Sequence, residues 1–173
     1  PPSGENEAVI VPLQKDAWSA LISNPALVVG SGTEDAVRYT LLPVLKARSI
    51  RPCGMLCCGN GKAERAGEKE LEKEYPGIRN WGAESGECPV RQWRLRPGNE
   101  LVLEDFPVPL RTGIRQDRSR VLSWECRGRR FLMIGNAGFS SLARAEETPR
   151  ADVLLIGHQP RDPVNSAARS SAT

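Results

Sequence analysis

The chain has 173 residues, of which 39% are hydrophobic and 26% are charged, and it has a formal net charge of +3 at pH 7. These values are typical of one globular domain that is large enough to fold alone. No apolar run approaches the roughly 18–20 residues of a membrane-spanning helix, which excludes such a span from these residues. The weakly basic charge permits an anionic partner but is too small to indicate one.

Three short apolar strands are predicted first, at residues 8–13, 18–22 and 26–29. The turn signal Asn24-Pro25 predicts that the second and third strands form a hairpin. Thr33 follows a glycine-rich turn and is expected to cap a helix. That helix has one apolar face, and Pro43 inside it predicts a kink or an early end.

A buried strand at residues 54–58 and a charged helix at residues 63–75 are predicted next. We interpret the charged residues of this helix as a solvent-exposed face: Glu68, Lys69, Glu70, Glu72, Lys73 and Glu74. Further strands are predicted at residues 91–95, 101–104, 120–126, 130–134 and 152–156, with a tight hairpin turn at residues 127–129 and a short helix at residues 140–147. This order favours an α/β or α+β fold with helices outside mixed sheets.

The cysteines are odd in number and lack the spacing of a disulfide framework or a zinc ribbon: Cys53, Cys57, Cys58, Cys88 and Cys126. We expect them to be buried, reduced thiols. The tryptophans are expected to anchor the core or its loops: Trp18, Trp81, Trp93 and Trp124. Residues 1–7 and 161–173 are polar and rich in small residues or proline, which predicts a linker and a flexible tail.

Two apolar runs near the end of the chain each lead into a small polar turn. RRFLMI leads into Gly135-Asn136-Ala137-Gly138, and DVLLI leads into Gly157-His158-Gln159. Metal-dependent hydrolases place their ligands in this way, on turns that follow strands at a sheet edge.

These blocks resemble the metallo-β-lactamase fold. They are most similar to the soluble metallo-β-lactamase-like domain of ComEC-type competence proteins, which are the membrane channels of DNA uptake. The family text "GGRRFLLTGDAG" corresponds to RGRRFLMIGNAG at residues 127–138, and "ADVLKVGHHGS" corresponds to ADVLLIGHQP at residues 151–160. Order and spacing extend the resemblance to residues 27–32, 41–50 and 56–67. It covers residues 8–160 and implies one domain with an αββα sandwich.

The chain departs from this family at the metal-binding positions. The first acidic position is Gly30, and the H-x-D-x-D-H run falls on Gly59, Gly61, Ala63 and Glu64. Only three family positions keep a polar side chain: Glu64, Asn136 and His158. A hydrolytic zinc site needs about three protein ligands, and the neutral amide of asparagine cannot replace a bridging carboxylate. We therefore expect no metal cofactor and no catalysis.

The resemblance implies a non-catalytic domain that scaffolds or guides single-stranded DNA during uptake. The implied partners are this DNA and the membrane channel portion of the parent protein, with no small-molecule substrate. The implied location is a soluble, extracytoplasmic domain of a membrane protein. Two alternatives stay open. One is an active zinc- or manganese-dependent hydrolase or nuclease with relocated ligands, for example Cys57, Cys58, Glu64 and His158; the other is a protein-interaction module.

Basic residues supply the candidate DNA contacts. Lys62 follows Gly59-Asn60-Gly61 at the start of a helix, which is a faint phosphate-binding pattern because Ala63 replaces the Ser or Thr of a full P-loop. Two arginine-rich segments lie at residues 111–120 and 127–130. The candidate phosphate contacts are Lys62, Arg115, Arg118, Arg129 and Arg130. The alternative that these arginines are solvated and paired with nearby acids stays open.

Overall fold

The structure, a computed structural model, describes residues 7–14, 17–23, 26–57, 59, 61–81, 103–105, 121–134 and 150–156. The first sheet has the order β1 (Ala8–Leu13), β2 (Ala17–Ile22), β3 (Leu27–Val29), β4 (Gly54–Leu56) and β5 (Arg79–Trp81). Strands β1, β2 and β3 pair antiparallel, whereas β3, β4 and β5 pair parallel. The predicted pairing of the second and third strands is confirmed, and β5 was not predicted.

The second sheet has the order β6 (Leu103–Asp105), β7 (Val121–Cys126), β8 (Arg129–Ile134) and β9 (Val153–Ile156). Strands β7 and β8 form the predicted hairpin, with Cys126 opposite Arg129. Its two turn residues have positive φ angles, 51° at Arg127 and 70° at Gly128. This is the left-handed geometry of a type I′ turn, which matches the twist of the flanking strands. Strand β9 pairs parallel with β8.

One continuous helical run connects β3 to β4. It consists of α1 (Glu34–Ala36), a π-helical segment (Val37–Leu41) and α2 (Leu42–Ala47). The predicted cap is confirmed, because Thr33 Oγ1 accepts a hydrogen bond from the Ala36 backbone N–H at 3.2 Å. Of the two expectations for Pro43, a kink or an early end, the early end is wrong, because the helical run continues to Ala47. The π segment carries an N–H of Leu42 that bonds to the Val37 carbonyl, and this wider turn makes room for the proline ring.

Helix α3 (Lys62–Glu74) connects β4 to β5. It agrees with the predicted helix to within one residue at each end. The chain turns after it at Gly77, whose φ of 90° is a left-handed conformation that suits glycine. The strand predicted at residues 91–95 and the helix predicted at 140–147 lie outside the described residues.

The described elements form three layers with two apolar cores. The helix-side core joins the helices to one face of the first sheet and includes Leu45, Met55 and Leu71. The inter-sheet core joins the other face to the second sheet and includes Leu56 and Trp124. The chain therefore has an α/β fold with two mixed sheets, as the order of elements predicts.

The charged face of α3 is less exposed than predicted. Glu68 is only 8% exposed and accepts a hydrogen bond from Asn80 Nδ2 at 3.1 Å. Glu70 and Glu74 form ion pairs with the preceding helical run: Arg38 Nε lies 3.1 Å from Glu70 Oε1, and Lys46 Nζ lies 2.7 Å from Glu74 Oε1. These three acids therefore attach α3 to its neighbours. The prediction of a solvent-exposed face is wrong for Glu68 and Glu70, whereas Glu74 is exposed, as predicted.

The described cysteines and tryptophans also agree with the predicted burial in part only. Cys57 and Cys126 are buried, as predicted, and burial raises the pKa of the Cys126 thiol. Cys53 is exposed, contrary to the prediction. Trp124 is a core residue, whereas Trp18 is 38% exposed and is not. Cys58, Cys88 and Trp93 lie outside the described residues.

Candidate functional site at the carboxyl ends of the parallel strands

The parallel strands of both sheets end at the same end of the molecule. Gly30, directly after β3, packs near Met133 at the end of β8: a Cβ built on Gly30 would lie 3.5 Å from Met133 Sδ. The Gly30 N–H also donates to the Leu56 carbonyl at the end of β4, at 2.8 Å. Strand β9 ends beside β8 because the two are parallel. Ligands of α/β proteins bind at such carboxyl ends, so this region, called the sheet-end site, is the first candidate.

The loop after β3 is built for glycine. Gly30 has a φ of +78°, and a Cβ there would lie 2.9 Å from the carbonyl oxygen of Trp18 on β2. A side chain at residue 30 would therefore pay for a left-handed backbone and also displace a strand. The family resemblance puts an acidic residue at this position. In this chain, the local geometry opposes one.

Helix α3 closes the same loop from the other side. A Cβ built on Gly67 would collide with the carbonyl oxygen of Gly32. The helix backbone therefore rests directly on the loop backbone, and little space remains between them for a ligand.

Cys57, which follows β4, points into the helix-side core. The residue is 2% exposed, and its Sγ lies 3.7 Å from the buried Ser31 Oγ. In the described part of the chain, no three His, Cys, Asp or Glu side chains are grouped so that they could hold a metal ion. Cys58 and His158, the other two Cys or His residues of the relocated-ligand alternative, lie outside the described residues.

Glu64 is explained by local helix structure. It lies in the first turn of α3, and its carboxylate folds back over the N-cap residue Gly61, into the space that a Cβ there would fill. A carboxylate in this position stabilises a helix N-terminus by interacting with its unpaired N–H groups and its dipole. Asn136 and His158, the other polar family positions, lie outside the described residues.

The structure does not bring the predicted phosphate contacts together. Lys62 is exposed at the start of α3, at the sheet-end site. Arg129 and Arg130 are exposed at the opposite end of β8. The Cys126 thiol, beside the start of β8, contacts the backbone of Ala8, which confirms that this end lies away from Gly30. Arg115 and Arg118 lie outside the described residues.

A second candidate region lies at this opposite end and was not predicted as a unit. A groove of about 400 Å³, called the hairpin groove, is lined by Glu125, Gly128, Arg130, Arg150, Ala151 and Asp152. The parallel pairing of β8 with β9 brings it together: the Arg130 N–H donates to Asp152 Oδ2, and the Asp152 N–H donates to the Arg130 carbonyl, both at 2.8 Å. Sequence reasoning found Arg130 but missed Arg150, which has no motif around it; only its position before the predicted strand at residues 152–156 was a signal.

The comparisons with known proteins add no relative. No protein-family model matches this chain, and no curated protein matches it significantly. Among the described residues, no helix has both the length and the apolar character needed to cross a membrane.

Proposed function

We propose that this chain is a non-catalytic domain of the metallo-hydrolase type that guides single-stranded DNA without cleaving it. By resemblance, it is the soluble, extracytoplasmic part of a ComEC-like uptake protein and works beside the channel portion of that protein. The observation that carries the loss of catalysis is Gly30, whose left-handed backbone lies against the Trp18 carbonyl where the family has an acidic residue.

The rest of the sheet-end site supports the same proposal. Hydrolysis at a metal centre requires several imidazole or carboxylate ligands around an open coordination position. The described family positions after β4 are held by Gly59, Gly61, Ala63 and Glu64. The first three have no ligand atom in their side chains, and the Glu64 carboxylate folds back onto its own helix. The two segments with the most specific resemblance to the family, at residues 127–138 and 151–160, contain the strands β8 and β9.

DNA binding is supported by the exposed basic residues at both ends of β8. Phosphate contacts by lysine and arginine release counterions, so the affinity must fall steeply as salt rises. A chain with a small net charge can still bind in this way if its cations are grouped, as they are around the β7–β8 turn.

The test combines three measurements on the purified protein: zinc and manganese content, cleavage of single-stranded DNA, and DNA binding by fluorescence anisotropy at about 50 and about 200 mM salt. We expect no stoichiometric metal, no cleavage, and binding that weakens with salt. Stoichiometric metal with turnover would establish the relocated-ligand hydrolase instead. An absence of salt-dependent binding would favour the protein-interaction module.

A further inference from the structure

The hairpin groove contains two exposed arginines that form no close ion pair with a carboxylate of the described residues. Arg130 and Arg150 are both exposed and line the same groove. Within the described ranges, neither guanidinium lies within ion-pair distance of a carboxylate, whereas Arg38 and Lys46 on the helices do form ion pairs. Both guanidinium groups are therefore open to solvent, in a groove that also contains the carboxylates of Glu125 and Asp152.

Two acidic residues, Glu125 and Asp152, line the same groove. Asp152 uses one carboxylate oxygen to accept the backbone N–H of Arg130, which joins the start of β9 to β8. Glu125 lies opposite Arg130 across the β7–β8 ladder and is exposed. The adjoining turn adds the exposed residues Arg127 and Arg129, and Glu7 lies at the same end, near Cys126.

We infer that the hairpin groove is a binding site for the backbone of single-stranded DNA, with Arg130 and Arg150 contacting successive phosphates. The inference rests on the proposed function and assigns its DNA contact to this end of the molecule. Guanidinium groups suit phosphate because their N–H donors match its oxygens in pairs.

The mixed charge of the groove favours a nucleotide chain over a simple polyanion. A polyanion would meet the carboxylates of Glu125 and Asp152 with repulsion alone. In addition to its phosphates, a DNA strand has base N–H groups that can donate hydrogen bonds to a carboxylate. Leu154, which is 46% exposed and lies two residues beyond Asp152 on β9, offers an apolar surface beside the groove on which a base can pack.

The test compares two double variants of the whole chain. Arg130→Gln/Arg150→Gln removes the groove cations. Arg48→Gln/Arg51→Gln removes two exposed arginines near the end of α2 and serves as the matched control. Binding to an oligonucleotide of about 12 deoxythymidines is measured across a salt series. Each phosphate contact contributes a slope of about −0.7 to log K against log salt for a single strand, so the groove variant should lose about 1.4 from the slope and the control should lose none.

Each outcome decides something. If the unchanged protein binds with a steep salt dependence and the groove variant keeps the same slope, the groove inference is overturned and the proposed function stands. If the unchanged protein shows no salt-dependent binding, both are overturned. Polyphosphate with the same number of phosphates is the competitor: equal displacement by it would overturn the preference for a nucleotide chain. Circular dichroism of both variants checks that any lost binding does not come from unfolding.

Discussion

The backbone of Gly67, in the middle of α3, lies so close to the carbonyl oxygen of Gly32 that a Cβ on residue 67 would overlap it. A glycine inside a helix ordinarily costs about 1 kcal/mol relative to alanine. Here it permits a contact that no other residue allows, and this contact seats α3 on the loop that follows β3.

Replacing this glycine should therefore destabilise the fold. We expect Gly67→Ala to lower the free energy of unfolding by about 1–3 kcal/mol, because the cost of overpacking exceeds the gain in helix propensity. Urea unfolding measures the change. Lys69→Ala, at an exposed position of the same helix, is the control and should stay within about 0.5 kcal/mol. A higher urea midpoint for Gly67→Ala would show that the helix does not rest on the loop.

The loop after β3 can be tested with two glycines that share a positive φ. Gly30 and Gly77 have φ angles of +78° and +90°, but a Cβ on Gly77 would meet no atom within 4 Å. Gly77→Ala should cost only the left-handed backbone strain of about 1–2 kcal/mol. Gly30→Ala should cost more, because it also collides with the Trp18 carbonyl.

An acidic residue introduced at position 30, where the resembled family has one, should not create a zinc site. We expect Gly30→Asp to be less stable than the unchanged protein and to bind no zinc, as measured by thermal unfolding and by titration calorimetry. Since a zinc site needs about three protein ligands, one added carboxylate is not enough. Tight zinc binding by this variant would show that the remaining ligands are already in place.

The sequence predicts well the elements that have a regular local pattern, but it predicts poorly the contacts between distant segments. Residues 8–13 and the β7–β8 hairpin are visible because apolar periodicity and a left-handed turn signal are local properties. Strand β5 was missed, since its three residues, Arg79, Asn80 and Trp81, include only one apolar side chain. Its place in the sheet comes from parallel pairing with β4, which is a contact between distant segments.

The candidate sites show the same limit. Glu64 is a polar residue at a family position in the sequence, but its carboxylate direction depends on the start of α3. Lys62 and Arg130 carry equivalent charges in a sequence, and only the strand directions place them at different ends. Arg150 becomes a groove residue through the pairing of β9 with β8.

The ion pair between Arg38 and Glu70 should make stability depend on pH. The Arg38 guanidinium, which donates a hydrogen bond to Glu70, lowers the pKa of that carboxyl. The pair therefore stabilises the fold above the unfolded glutamate pKa of about 4.3, and this contribution is lost as the pH falls through the lower folded value. Because both groups are near solvent, the effect should be small and weakened by salt.

Glu70→Gln tests this assignment. The variant should be slightly less stable than the unchanged protein at about pH 7, and the two should converge at about pH 3, where the carboxyl is protonated. Urea unfolding at both values measures the difference. In an Arg38→Gln background the same change should lose its pH dependence. An undiminished difference at the lower pH would mean that Glu70 acts through its packing and not through its charge.

Trp124 is the largest side chain in the inter-sheet core. It stacks on Phe131, with ring centroids 5.4 Å apart and planes 4° from parallel. Its indole N–H has no acceptor among the described residues. We expect Trp124→Ala to lower the free energy of unfolding by about 3–5 kcal/mol. Trp124→Phe should cost much less, because it removes less volume than alanine does and breaks no hydrogen bond to a described residue. Equal losses in the two variants would reveal a hydrogen-bond partner for the indole.

The direction of β8 separates two kinds of surface. Its six residues span about 16 Å between the glycine loop at one pole and the arginine turn at the other. Substitutions at the glycine loop do not touch the hydrogen bonds between Arg130 and Asp152. In the proposed function, the residues that would hold DNA and the positions where the resembled family binds metal therefore lie at opposite ends of one strand, and a change at one end leaves the atoms of the other in place.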